Sequence, residues 1–127
     1  MLYRTMGKTG DQISVLGFGA MRVPQKRGRI DEAEATRQIR FAIDRGVNYI
    51  DTAAAYGKGI SQTYIGEVMA TRRREVFLAS KTHDRTRDGS LRLLEESLKS
   101  LRTDHLDLWQ LHNVRFDEQV EQIFGKD

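Results

Sequence analysis

The sequence predicts an α/β fold built on a parallel sheet, and three observations lead there. Short apolar runs that suit strands alternate one for one with longer segments of helical periodicity. The apolar runs are nearly continuous, as in strands covered on both faces. The helical segments carry capping residues and an apolar stripe, which places them as crossovers over the sheet.

The elements follow in order. Residues 3–14, YRTMGKTGDQIS, alternate around a Gly-Lys-Thr-Gly turn and predict a small hairpin. Residues 15–21, VLGFGAM, predict the first strand of the sheet, followed by a polar loop with Pro24 and Gly28. Residues 31–45 predict a helix: Asp31 is a good N-cap, and Glu34 stands where a capping box wants it. Ala35, Ile39, Ala42 and Ile43 form its stripe, and Gly46 is placed to end it. VNYID (47–51) is the second strand. Residues 61–70 predict the second helix, with Ile65, Val68 and Met69 inward. EVFLASK (75–81) is the third strand. Asp88 or Ser90 is expected to cap the third helix, where Leu91, Leu94, Leu98 and Leu101 recur at helical spacing. LDLWQL (106–111) is the fourth strand, and Asp117 starts a fourth helix with Val120, Ile123 and Phe124 on one side. Val47, Tyr49, Phe77, Ala79 and Leu108 are expected on the sheet face away from the helices. About four β/α units result. Such a pattern is shared by a small doubly wound sheet and by half of a (β/α)₈ barrel, which typically runs to about 250 residues.

Composition narrows the class. The 127 residues carry no cysteine, which excludes disulfides and thiolate metal sites. The absence of an apolar run near the ~20 residues of a membrane span, and of an apolar signal core after Met1-Leu2-Tyr3-Arg4, makes the cytoplasm the expected compartment, with no membrane partner. A net charge of +3 is mildly basic and does not amount to a nucleic-acid signature. The densest run, Arg72-Arg73-Arg74, reads as a solvated helix end.

Four polar residues stand out by position. Asp51 ends the second strand, Lys81 the third and His112 the fourth, and Tyr56 lies on the loop five residues past Asp51. In a parallel sheet all these ends share one rim, where ligands bind in barrels and open sheets alike. Each has an ordinary alternative: a turn-starting Asp, a snorkelling Lys, a core His, a packed Tyr. Together they suit carbonyl reduction. A free tyrosine has a pKa of about 10 and is a weak acid near neutrality. An ammonium beside it favours the phenolate. Lys81 can supply that charge, Asp51 can aim Lys81, and His112 can donate to an oxygen gaining negative charge. Other motifs fail. Gly7-Lys8-Thr9 lacks the first glycine of a phosphate loop, since residue 2 is Leu2. Gly17-Phe18-Gly19 and Gly57-Lys58-Gly59 lack a third glycine, and His83, His105 and His112 have no metal-ligand spacing, so no metal is expected.

The segment GVNYIDTAAAYGKGISQTYIGE (46–67) resembles the signature of the aldo-keto reductase family. LASKT (78–82) resembles the block with that family's catalytic lysine, and DLWQLHN (107–113) the block with its catalytic histidine. LGFGAMR (16–22) resembles the first barrel strand, and YRTMGKTGDQIS the hairpin plugging the barrel floor. The resemblance implies a (β/α)₈ barrel of TIM type and reduction of aldehydes and ketones with NADPH, less often NADH. It implies Tyr56 as general acid, Lys81 as its partner, Asp51 as the group orienting Lys81, and His112 as the residue orienting the carbonyl. Gly19, Ala20 and Met21 match positions lining the nicotinamide pocket, bordered by Asp51. Gln62 stands where many relatives have Glu. Residues 1–127 correspond to one partial barrel domain, about the first four β/α units, without the half that grips the cofactor's phosphates. The expectation is therefore a reductase site in a chain that by itself is inactive. The alternatives are a non-catalytic half-barrel that self-associates and a regulatory binding module.

Overall fold

The computed structural model describes residues 1–125. The chain opens with an antiparallel hairpin, β1 (Tyr3–Thr5) against β2 (Gln12–Ser14), in the register Tyr3↔Ser14. Asn48 fastens it. Its Oδ1 accepts from the Ser14 amide at 2.7 Å, and its Nδ2 donates to the Gln12 carbonyl at 2.8 Å. Tyr3 Oη donates to the Gly46 carbonyl at 2.8 Å. Asn48 and Gly46 precede a sheet strand, so the hairpin sits at the sheet end where strands begin, opposite the expected functional rim.

The main sheet has four parallel strands in the order β3 (Phe18–Gly19), β6 (Tyr49–Asp51), β7 (Phe77–Thr82), β8 (Leu108–Leu111). Spatial order equals chain order. A doubly wound sheet reverses direction at a switch point and puts helices on both faces. Right-handed crossovers taken in one direction put every helix on the same face, and this is the winding seen. The class is α/β with a parallel sheet, as predicted.

Helices α1 (Glu32–Asp44), α2 (Ile60–Arg72) and α3 (Arg87–Leu101) lie side by side over that face. Ala35, Ile39 and Ile43 of α1, Tyr64, Ile65, Val68 and Met69 of α2, and Leu101 of α3 pack on Ile50 and Leu78 of the sheet. Gly66 lets α2 and α3 approach closely: a Cβ there would lie 2.2 Å from the Ser100 carbonyl oxygen. On the other face Tyr49 and Phe77 stack with centroids 5.6 Å apart, half-buried beside Leu108. Ala79 is buried among them. Val47 is buried and lies just before β6, outside the paired strand.

Several expectations about elements are corrected. The first strand pairs over two residues instead of 15–21, because the Val15 amide donates to the Leu2 carbonyl in the hairpin. The polar loop after it is a second hairpin, β4 (Gln25–Lys26) against β5 (Arg29–Ile30). Its turn has Arg27 at φ 53° and Gly28 at φ 75°, the double positive φ of a tight hairpin. Thr86, not Asp88 or Ser90, caps α3 by accepting from the Gly89 amide at 3.1 Å. The arginine run is mostly paired: Arg72 bridges Asp44 and Glu75, and Arg73 bonds Asp107 at 2.9 Å. Helix α4 (Asp117–Phe124) forms as expected. Its apolar side is largely bare, with Val120 43% and Phe124 80% exposed.

Candidate active site

The four predicted residues meet at the C-terminal rim of the sheet. Asp51 is the last residue of β6. Lys81 sits one step short of the end of β7, two residues beyond Ala79, the register partner of Asp51. Its side chain therefore reaches back over the strand ends. The Lys81 Nζ donates to Asp51 Oδ1 at 2.5 Å and to the Thr52 carbonyl at 2.7 Å. The lysine side chain is 13% exposed and the carboxylate 26%, so the pair is screened less than a surface bridge.

Tyr56 begins a tight turn, Tyr56–Gly59, with its amide bonded to the Ala53 carbonyl at 3.1 Å. The next three residues all have positive φ: Gly57 58°, Lys58 57°, Gly59 93°. Glycine takes this conformation freely, and Lys58 between them is strained. This turn brings the Tyr56 ring over the rim. The Lys81 ammonium lies 5.0 Å from the ring centroid. The His112 ring meets the Tyr56 ring edge to face, with centroids 5.5 Å apart at 81°. His112 stands just past β8 and extends the ladder by one bond, its amide donating to the Thr82 carbonyl at 2.8 Å. Its own carbonyl accepts from the Arg85 guanidinium.

Burial pushes the His112 pKa below the usual imidazole value, and the positive charges of Lys81, His83 and Arg85 push the same way, against a smaller pull from Asp51. The shift favours the neutral imidazole, which has one N–H to donate. The set can hold a carbonyl oxygen between a phenol and an imidazole donor, with a fixed ammonium beside the phenol.

Four supporting residues, Thr52, Ser61, Gln62 and Tyr64, are given no role by the sequence. Thr52 supplies the second acceptor for Lys81. Its buried hydroxyl pairs with Ser61 Oγ at 2.7 Å, tying the strand end to α2. Ser61 Oγ and Tyr64 Oη both donate to the Ala20 carbonyl, at 3.2 and 3.1 Å. Gln62 is buried too, donating to Ser80 Oγ at 2.8 Å and Ser97 Oγ at 2.9 Å. It locks β7 to α3 behind Lys81.

The positions expected to line a nicotinamide divide. Gly19 pairs with Asp51, and a Cβ on it would meet nothing within 4 Å, so a flat ring could approach the backbone there. Met21 is 62% exposed on the same side. Ala20 is enclosed in the helix-side core, with its amide donating to the Asp51 carbonyl at 2.9 Å. Among the described residues, no group of three or more His, Asp or Glu side chains could hold a metal ion.

Comparison with known proteins gives one answer. The sequence model of the Aldo/keto reductase family matches residues 15–126. Aldo-keto reductase YhdN of Bacillus subtilis is 36% identical over 88% of this chain and 38% of its own length. The holo form of aldo-keto reductase AKR11C1 from Bacillus halodurans superposes with a TM-score of 0.74 at 32% identity, over 96% of this chain and 45% of that one. An aldo-keto reductase from Klebsiella pneumoniae in complex with NADPH superposes with a TM-score of 0.76 at 27% identity, over 96% of this chain and 44% of that one. The chain spans less than half the length of these relatives.

Proposed function

Because the chain belongs to the aldo/keto reductase family, we propose that it carries the proton-delivering site of an NAD(P)H-dependent reductase of aldehyde and ketone carbonyls. The observation that supports this best is the single cluster of Asp51, Lys81, Tyr56 and His112 on one rim. NADPH is the expected cofactor and NADH the alternative. When bound, it supplies the hydride that adds to the carbonyl carbon. Gly19 and Met21, with Ala20 behind them and Asp51 at the border, would hold its nicotinamide end.

The remaining work belongs to the chain's own side chains. His112 donates its N–H to the carbonyl oxygen and fixes its direction. Tyr56 gives its hydroxyl proton to that oxygen as the C–O bond becomes single, and the product is an alcohol. The phenolate left behind is stabilised by the Lys81 ammonium. Asp51 and the Thr52 carbonyl keep that ammonium in place. Tyr56 then regains a proton from solvent.

In this reading the four β/α units are one half of a TIM-type barrel, and the cytoplasm is their compartment. The 127 residues alone turn over little or no carbonyl, because four strands form half of the eight-stranded ring. The open sheet face and the free edges β3 and β8 favour one companion reading, a half-barrel that associates with itself. A regulatory binding module is disfavoured, since it has no need of the cluster. The test is NADPH oxidation with an aldehyde in a protein where all eight strands are present, in a longer form of this chain or with the rest supplied in trans. Tyr56→Phe keeps the ring and should lower the rate by about 10²–10⁴-fold. A rate within twofold of wild type removes Tyr56 from its role.

A further inference from the structure

The chain's positive charge is not spread evenly. Four loops leave the C-terminal ends of the sheet strands: residues 20–31, 52–59, 83–86 and 112–116. They contain seven arginines and lysines against two aspartates, a larger surplus than the +3 of the whole chain. The segments entering the strands from the other end, residues 15–17, 45–48, 73–76 and 102–107, hold four cations against three acids. There Arg73 is paired with Asp107. On the functional rim none of the seven has an ion-pair partner among the described residues. Its two aspartates are already engaged. Asp31 accepts from the Glu34 amide, and Asp84 accepts from the Thr86 amide and hydroxyl.

The cations are densest on the β4–β5 hairpin, where Lys26, Arg27 and Arg29 line one concavity with Asp31 and Glu32 and outnumber them. Lys26 and Arg29 are register partners, directly opposite each other, and Arg27 occupies a positive-φ turn position. Like charges placed directly across two strands destabilise the pairing. Folding alone gains nothing from this arrangement, and a bound anion would relieve it. The base of the hairpin adjoins the site. It leaves β3 just past Gly19 and returns with Ile30 against Gly57, the residue after Tyr56. The Ile30 Cδ1 lies 2.8 Å from where a Gly57 Cβ would be. Arg22, Lys58, Arg85 and Arg115 continue the positive rim around the same opening.

We propose that the β4–β5 hairpin is an anion-reading arm of this site: Lys26, Arg27 and Arg29 engage a phosphate or carboxylate carried by the carbonyl substrate. The proposal rests on the carbonyl-reductase reading and adds the substrate class, a carbonyl compound with an anionic group away from the reacting carbon. The low intrinsic value of single exposed ion pairs is why three act together. Their effect should fade as salt shortens the range of charge interactions.

The test uses the 127-residue chain and binding rather than turnover. Dihydroxyacetone phosphate and dihydroxyacetone share a carbonyl and differ by the phosphate. Each is titrated at low salt while NMR follows the His112 ring and the hairpin amides. The phosphate compound should bind on the order of tenfold tighter and shift both sets of signals. Lys26→Gln, Arg27→Gln and Arg29→Gln combined should cut that preference to within twofold. Arg4→Gln, Lys8→Gln and Arg74→Gln, which remove equal charge from exposed positions elsewhere, should leave it intact. Equal binding of both compounds, or no binding by wild type, overturns the proposal, and so does equal loss in the two triple variants. If the hairpin variant weakens NADP⁺ and spares dihydroxyacetone phosphate, the arm serves the cofactor and the proposal also fails. Hairpin shifts that never reach His112 would separate the arm from this site and overturn the proposal, whereas the carbonyl-reductase reading fails only if Tyr56→Phe leaves turnover within twofold of wild type.

Discussion

Gly66 sits where α2 crosses α3, and Gly66→Ala sets two measurable effects against each other. Alanine favours the helix interior over glycine by about 0.8–1.0 kcal/mol. Its Cβ would lie 2.2 Å from the Ser100 carbonyl oxygen and 3.1 Å from both the Leu101 Cα and carbonyl carbon. Nonbonded contacts of this kind are comfortable beyond about 3.5 Å, so the helices must part by roughly 1 Å. All three neighbours are backbone atoms, so no rotamer change relieves the clash. Overpacking of this sort costs about 1–3 kcal/mol, occasionally more. An overlap this deep puts the cost at about 2–3 kcal/mol, so the clash should win, with a net loss of about 1–2 kcal/mol after the propensity gain. For a domain of this size that lowers the melting temperature by about 3–10 °C. Urea unfolding followed by circular dichroism measures the loss directly. A variant as stable as wild type, or more so, would refute the claimed crossing. The crossing matters to the site, because α2 carries Ser61 and Gln62, which hold the strand ends behind Lys81.

Other outcomes can be checked independently. His112 should titrate below about 6.5, the ordinary imidazole value, and NMR of its ring protons reads this directly; a midpoint above that value would contradict its burial among cations. The sign for stability follows: native His112 resists protonation, so the unfolded state takes up the proton first. This contribution is intact above the unfolded pKa and is lost as pH falls through it towards the depressed native value. Calorimetry should find no tight NADPH binding by the 127 residues, and micromolar affinity, about −8 kcal/mol, would contradict this. Sedimentation should show a dimer or larger species, since the stacked Tyr49 and Phe77 are only half-buried and, among the described residues, β3 and β8 each pair on one side only. A stable, cooperatively folding monomer at micromolar concentration would defeat the self-association reading.

The parts legible in the sequence were those with a period or a rim. Ile39 and Ile43, or Ile65, Val68 and Met69, recur at helical spacing and proved to be core. Asp51, Lys81 and His112 could be aligned because parallel strands all end on one side. Partners that depend on tertiary position were not legible. Nothing in the sequence marks Arg27 for a positive φ, so the β4–β5 hairpin looked like a loop. Thr86 outcompeted Asp88 as a cap because the chain already turns into the helix at Asp84, whose carboxylate binds the Thr86 amide. Ala20 was grouped with Gly19 and Met21 as cofactor-facing, yet alternation along the strand sends its side chain to the opposite face. Thr52 and Ser61 are nine residues apart, and only the fold shows that they meet.

The four proton-delivering residues come from β6, β7 and β8 or the loops leaving them, and these three strands are consecutive in both chain and space. No strand from elsewhere in the chain is inserted between them. Contacts that join neighbouring units require only short loops to close, and short loops close fastest. Asp51, Tyr56 and Lys81 can therefore be assembled once residues up to about Thr82 have folded, with His112 arriving one β/α unit later. The chemistry would emerge from the ribosome as a contiguous block, before any ring of strands could be completed. A block that assembles this locally can also be cut out and moved: residues 46–113 are the segment to graft when transplanting the proton-delivering site onto another barrel of the same winding.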